Sequence, residues 1–335
     1  MFILRGENAI ILIMANKKQT KRLTKADIVH VHHVIWGVLC AGLILVLMLM
    51  WHQIQTLQQT KESLEKQVAV LNAPAPSCSA RDTWQPGTDK TFYTLTEDGN
   101  RAYTVHLPDN FKPTNYYPLI VHFPGKGANA SNGAQQAGLN VLPAVIAYPH
   151  PTVGIDGYNA WQGAPYSSNA DDVSFTGELL DKIQSQLCID RKRIYASGMS
   201  NGGGMVSLLS CELSNRFAAF GIVAGAMYYP AGACDPTIPT PLINVHGDSD
   251  PNVPYGGSIT RKLPDIGQWS AERAKDNDCK GQPSVKFIDA VTTVTTWTNC
   301  RGNATVENVK LRGGGHIWMP EATQLLWQFM SKHTL

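Results

Sequence analysis

Residues 34–51, VIWGVLCAGLILVLMLMW, contain no charged side chain, and this run limits what the chain can fold into more than any other. At ~1.5 Å per residue, a helix of this length covers most of a bilayer's hydrocarbon core. Trp36 and Trp51 stand near its ends, where indole rings favour the headgroup region. A cleaved signal peptide has a shorter apolar core, about 7–15 residues, followed by small residues. Here Leu, Met and Trp continue to the end, so the segment reads as an uncleaved transmembrane signal anchor. Lys17, Lys18, Lys21, Arg22 and Lys25 precede it. The positive-inside rule then makes residues 1–33 a basic cytoplasmic tail of a single-pass cell-membrane protein, with everything after residue 51 extracytoplasmic.

Residues 52–77 continue as a helical stalk and a Pro/Ala linker. Ile54, Leu57, Leu64, Val68 and Leu71 recur at heptad-like intervals, with Lys61 interrupting the stripe. The alternatives are a short coiled coil, giving a weak dimer, or a single helical stalk. The sequence APAPS then ends the helix. Cys40 lies inside the apolar run, leaving Cys78, Cys188, Cys211, Cys234, Cys279 and Cys300 beyond it, an even set suited to disulfides outside a membrane. The absence of a Cys-x-x-Cys spacing argues against a zinc site. A net charge of +2 gives no reason to expect nucleic acid as a partner.

From residue 78 onward, strand-type and helix-type patterns alternate. TFYTLTEDGNRAYTVHLP reads as a hairpin turning at Glu97-Asp98-Gly99-Asn100. YYPLIVHFPG, VLPAVIAYP, RIYASGM, FGIVAGAM, PLINVHG and VENVKLRGGG read as strands. DDVSFTGELLDKIQSQL, SNGGGMVSLLSCEL, DIGQWSAERAKDN and EATQLLWQFMSKH read as helices. This order predicts one α/β domain over residues 78–335, with a mostly parallel central sheet and helices on both faces.

Within that frame, Gly198-Met199-Ser200-Asn201-Gly202 fits Gly-x-Ser-x-Gly. A strand runs directly into the serine and a helix starts directly after it. That turn exposes a hydroxyl on a tight backbone tolerated only by small neighbours, and the helix start offers free N–H groups. A dinucleotide fingerprint would need glycine at Ser200. GKGAN, at residues 125–129, lacks the hydroxyl of a Walker loop. Ser200 is therefore the predicted nucleophile. A serine needs a base, and the base needs an orienting carboxylate, in the chain order Ser, acid, His.

PLINVHGDSDPNVPY supplies the acid: Asp250 by the His-Gly-x-x-Asp spacing after the strand, with Asp248 as the fallback. The same stretch opens like a calcium loop, but Val253 and Ile259 replace its glycine and glutamate. His316, following three glycines, is the expected base; His122 and His246 lie within strands and read as hydrogen-bonded core histidines. The backbone N–H groups of Asn201 and Lys126 are the expected oxyanion donors, since Pro124 has none. Trp161 is expected to border the substrate pocket. No metal or cofactor is implied.

The blocks CIDRKRIYASGMSNGGGM, CELSNRFAAFGIVAGA, INVHGDSDPNVPY and GGGHIWMP resemble those of the secreted esterases of the polyhydroxybutyrate depolymerase and feruloyl esterase group, carbohydrate esterase family one. The resemblance covers roughly residues 90–335. It implies an α/β-hydrolase fold, a Ser200–Asp250–His316 triad and a Cys279–Cys300 bridge. It also implies a serine esterase acting on feruloyl or acetyl polysaccharide esters, hydroxyalkanoate oligomers or small soluble esters. The remaining cysteines are expected to pair Cys188 with Cys211 and Cys78 with Cys234. The group usually carries His-Gly where this chain has Pro124-Gly125, a departure that falls on the oxyanion loop. A serine peptidase of the same fold and a catalytically silent binding protein are the alternatives.

Overall fold

The computed structural model describes residues 25–72, 78–80, 83–228 and 238–335. The chain separates into two units, Met1–Ala73 and Pro74–Leu335. In the first, a single helix α1 (Lys25–Asn72) carries the apolar run; no proline interrupts it. Its stretch Trp36–Lys61 has a mean hydropathy of 2.0 and is long and apolar enough to cross a membrane. Residues 52–72 continue the same helix. Ile54 and Leu57 are exposed on it, while the side chains of Leu64, Val68 and Leu71, and residues 73–77, lie outside the described residues.

The second unit is built on a ten-stranded sheet. In chain order its strands are β1 (Asp89–Thr96), β2 (Gly99–His106), β3 (Tyr117–Phe123) and β4 (Val145–Pro149), then, after a small separate hairpin of β5 (Thr152–Val153) and β6 (Asn159–Ala160), β7 (Ile189–Met199), β8 (Ala219–Val223), β9 (Leu242–Gly247), β10 (Ser284–Phe287), β11 (Thr292–Trp297) and β12 (Val306–Leu311). Their spatial order is β1-β2-β4-β3-β7-β8-β9-β12-β11-β10. The run from β4 to β12 is parallel, and each edge is closed by an antiparallel pair. Residues of β3, β8 and β9 are all buried, as expected for parallel strands covered on both faces.

Among the described residues, five helices supply the cover: α2 (Ala130–Ala137), α3 (Asp172–Gln186), α4 (Asn201–Glu212), α5 (Ile266–Asp276) and α6 (Ala322–Met330). Phe175, Leu179 and Ile183 of α3 share one core with Met205 of α4, Trp269 of α5 and alternate residues Leu119, Val121 and Phe123 of β3. Ile120 of β3 faces the other way, into a second core with Ala130 of α2 and Leu326 and Phe329 of α6. The two cores on opposite faces are the layered arrangement that the alternating pattern predicts. The predicted hairpin at residues 97–100 is present, turning between Thr96 and Gly99. The β10–β11 hairpin is an addition to the sequence reading; every residue of β10 is exposed, so it has no buried face to leave a period-two signal.

The cysteine pairing corrects one expectation. Cys188 is bonded to Cys78, not Cys211. The segment after Cys78 and the start of β7 both lie against Pro113, whose carbonyl accepts from Ala80 N–H at 2.9 Å and lies 3.0 Å from Cys188 Sγ. Cys211, at the far end of α4, faces Arg273 of α5 instead and is itself disulfide-bonded. The expected Cys78–Cys234 pair is thereby excluded, and Cys234 lies outside the described residues. The Cys279–Cys300 bridge is present.

Candidate active site

Ser200 is the single residue between the end of β7 and the start of α4, and its backbone sits at φ 54°, ψ −121°. A non-glycine residue there costs about 1–3 kcal/mol and persists only when its surroundings over-determine it. They do. The Ser200 N–H donates to the Val223 carbonyl at 3.0 Å, and its own carbonyl accepts from Gly204 at 3.0 Å and Ala226 at 2.8 Å. The flanking glycines are steric requirements of the same turn. A Cβ on Gly198 would stand 2.4 Å from the Gly202 carbonyl oxygen, and one on Gly202 would stand 2.0 Å from that of Phe123.

Strands β7, β9 and β12 are parallel, so the loops that follow them emerge at one edge of the sheet. Gly247 at the end of β9 packs directly on Gly314, where a Cβ would meet the Gly314 oxygen at 2.1 Å. Asp248 ties the two loops together, its carboxylate accepting from Gly313 N–H at 2.7 Å. The fallback acid thus holds the glycine loop, and Asp250 reaches the imidazole. His316 Nδ1 lies 2.8 Å from Asp250 Oδ2, and His316 Nε2 lies 3.0 Å from Ser200 Oγ.

Asp250 is buried, and its other oxygen accepts from the N–H groups of Asn252 at 2.8 Å and Val253 at 2.7 Å. Burial works to raise its carboxyl, but hydrogen bonds from His246, Val253 N–H and His316 outweigh that and draw it down to about 2. His246 is therefore more than a core histidine. Its Nε2 lies 2.8 Å from the Val253 carbonyl and 3.4 Å from Asp250 Oδ2; both are acceptors, so that nitrogen carries the proton. The sequence held one signal for this role, His246 standing four residues before Asp250 at a strand end. His122 does behave as a core histidine: buried, 2.9 Å from Ser197 Oγ, and lowered to about 3 by desolvation.

The loop after β3 closes the other side. Gly125 sits on the nucleophile, where a Cβ would lie 3.3 Å from Ser200 Cβ. The N–H groups of Gly127 and Ala128 are used within the loop region, on Asn159 and Gly125 carbonyls. Those of Gly125 and Lys126 have no protein acceptor among the described residues. Asn201 opens α4, so its N–H is a first-turn group without an intrahelical partner. The Lys126 side chain is ion-paired with Asp156, with its ammonium 4.2 Å from the Tyr166 ring centre and 5.3 Å from that of Tyr158.

Trp161 lies beside the Pro124–Lys126 loop and the start of α4. It is fully buried, and its indole N–H donates to the Pro124 carbonyl at 2.9 Å. The Asn201 side chain, also fully buried, accepts from Trp161 N–H at 2.7 Å. Beside Asn201, Gln162, Gly163, Ala164, Leu208, Ala226 and Tyr228 line a narrow crevice.

Residues 101–250 match the family model described as esterase PHB depolymerase. Feruloyl esterase B of Piromyces equi is 30% identical over 250 residues, covering 70% of this chain and 46% of that protein. Over these residues the chain is similar to the polyhydroxybutyrate depolymerase and feruloyl esterase group. Feruloyl esterase D of Neurospora crassa is 32% identical over 188 residues, 53% of this chain and 62% of that one. The chain thus spans less than two thirds of either relative's length. The acetyl xylan esterase of Aspergillus awamori has the same α/β-hydrolase fold, with a TM-score of 0.56 at 13% identity over 73% of this chain and 99% of that one.

Proposed function

We propose that this protein is a membrane-anchored serine esterase, and the observation that carries the reading is the unbroken chain from Asp250 Oδ2 through His316 to Ser200 Oγ, at 2.8 and 3.0 Å. Ser200 Oγ attacks the ester carbonyl while His316 Nε2 takes its proton. Asp250, ionised at neutral pH, keeps the imidazole in the tautomer that accepts at Nε2 and stabilises the imidazolium. The N–H groups of Asn201 and the Gly125–Lys126 loop face the developing oxyanion. His316 then protonates the leaving alcohol, and water, activated by the same imidazole, releases the acid from the acyl-enzyme. The relatives named for feruloyl and acetylxylan ester hydrolysis favour polysaccharide-borne carboxylic esters as the substrate class.

Helix α1 anchors the catalytic unit, residues 78–335, with its N-terminus in the cytoplasm. The basic residues before Trp36 and the disulfides Cys78–Cys188 and Cys279–Cys300 support an extracytoplasmic site. Protease shaving of intact cells that leaves the C-terminal unit protected would contradict this orientation.

The activity test uses the full chain in detergent with p-nitrophenyl acetate, p-nitrophenyl butyrate, methyl ferulate and a peptide p-nitroanilide. Ester turnover that falls by at least ~10³-fold in Ser200→Ala is expected. Unchanged hydrolysis by that variant removes the mechanism. Turnover of the anilide alone moves the chain to the peptidases, and a wild-type protein inert to all four is a binding protein.

A further inference from the structure

We propose that Trp161 is a positioning residue for the oxyanion side of the site, acting as a clamp between the nucleophile helix and the Pro124–Lys126 loop; the inference rests on the esterase reading above. Pro124 has no N–H with which to tie its loop to the sheet, so the backbone handle at that position is its carbonyl. The buried indole of Trp161 takes it, donating from Nε1 at 2.9 Å. The ring is fixed edge-on to Phe123, centres 5.0 Å apart at 83°. Trp161 is in turn held at its backbone by Asn201. Its N–H donates to Asn201 Oδ1 at 2.7 Å, and its carbonyl accepts from Asn201 Nδ2 at 3.4 Å.

Asn201 thus has two tasks: its backbone N–H faces the oxyanion, and its side chain grips the residue that sets the opposing loop. The next residue is anchored as well, because Gln162 N–H donates at 2.7 Å to the buried carboxylate of Asp172, which is paired with Arg101 at 2.6 Å. The position of the 125–126 N–H groups relative to Ser200 Oγ is therefore transmitted through one indole. Oxyanion stabilisation depends steeply on such placement: a shift of about 1 Å costs on the order of a hundredfold in rate.

The test compares wild type, Trp161→Phe and Asn201→Ala as full chains in detergent, by three measurements. These are kcat and KM for p-nitrophenyl acetate, the rate of Ser200 labelling by an alkyl fluorophosphonate, and Tm. In labelling, the Ser200 Oγ–P bond forms as the P–F bond breaks, the proton passes to His316 and fluoride leaves; the phosphoryl oxygen occupies the same N–H groups as an ester oxyanion. Trp161→Phe keeps the ring and deletes the donor. Its expected effect is a fall of roughly ten- to a hundredfold in both kcat and labelling rate, with KM within about twofold. A purely structural tryptophan would lower Tm and leave both rates of the folded protein unchanged, and that result overturns the clamp while the esterase reading stands. If Trp161→Phe melts far below wild type, Asn201→Ala, which retains every backbone N–H, is judged by the same two rates. Wild type that is labelled at Ser200 but turns over no ester overturns the esterase reading. The clamp then stands if the labelling ratio holds and falls if it does not.

Discussion

At the β7–α4 corner Ser200 is fixed by its neighbours in the chain and by residues on and just after β8: Gly198, Gly202, Gly204, Val223 and Ala226. At the loop after β3 the opposing N–H groups are held by residues 37 positions away, through Trp161, which is gripped from 40 positions further by Asn201. The first corner is built from steric necessity, so its chemistry is written in adjacent residues. The second is built from side chains on separate loops, so it is adjustable, and one indole can take up the change that Pro124 introduces. Gly202 is where the two meet, since its missing Cβ is the space occupied by the carbonyls of Phe123 and Pro124.

The largest effect should come from that meeting point. In Gly202→Ala the new Cβ meets Phe123 O at 2.0 Å and Pro124 O at 2.5 Å, both backbone atoms, so a strand end or the helix start must move. A loss of about 10³-fold or more in kcat/KM is expected, with destabilisation of roughly 3 kcal/mol in urea unfolding. Gly125→Ala is the contrasting variant. Its Cβ would lie 3.3 Å from Ser200 Cβ and 3.6 Å from the Met199 oxygen, contacts that a few tenths of an ångström relieve; about a tenfold loss is expected. Equal damage from both would mean that the adjustable loop is as rigid as the elbow, and the contrast would be lost.

A smaller effect is expected at the acid. His246 supplies the largest of the hydrogen-bond contributions that hold the Asp250 carboxyl down at about 2. His246→Gln leaves His316 and Ser200 untouched, so kcat should fall by roughly tenfold through a less firmly held Asp250. The Asp250 carboxyl should also rise, which NMR titration of the carboxyl carbon would follow. An unmoved carboxyl would show that His246 serves only the Val253 turn.

This division between local and distant support also explains what the sequence made legible. The elbow, the order Ser200, Asp250, His316 and the helix-covered parallel sheet all leave local signals: glycines at fixed offsets, short runs rich in apolar residues, a histidine after a glycine run. The β10–β11 hairpin left none, because its edge strand is exposed throughout. Trp161 was legible only as an aromatic near the site. Nothing within several residues of it indicates that its N–H meets a proline carbonyl across the fold, or that it is buried. Cys188 is similar. Its partner depends on Pro113 drawing the Cys78 segment to the start of β7, a contact spanning most of the domain's first half. The Lys126 side chain, too, answers to distant residues, Asp156, Tyr158 and Tyr166 on another loop.

The smallest effect on catalysis, none at neutral pH, is expected from His122 on β3, and it sharpens the comparison through stability. Desolvation lowers His122 from 6.5 to about 3, so the unfolded chain binds a proton near pH 6.5 that the folded chain refuses until about pH 3. Its contribution is fully present above pH 6.5 and is lost as pH falls through that window, at up to about 1.4 kcal/mol per pH unit. Asp250, lowered from 3.8 to about 2, has the opposite ordinary charge but the same acid-side consequence, confined to pH below about 4. The two sides of the site therefore fail in separate windows, the β3 side first. His150 and His333 are also lowered by burial and share the upper window, so the readout is a difference. Between pH 6 and 4, the unfolding free energy of His122→Asn should fall less steeply than that of wild type, by up to one proton's worth of slope. The two slopes should converge only below about pH 3, where folded His122 takes up its proton as well; Asp250, common to both proteins, cancels in the difference. Parallel curves from pH 6 to 4 would mean that the β3 histidine takes up its proton in the folded state, and that the oxyanion side is more hydrated than its packing against Tyr148 and Trp318 implies.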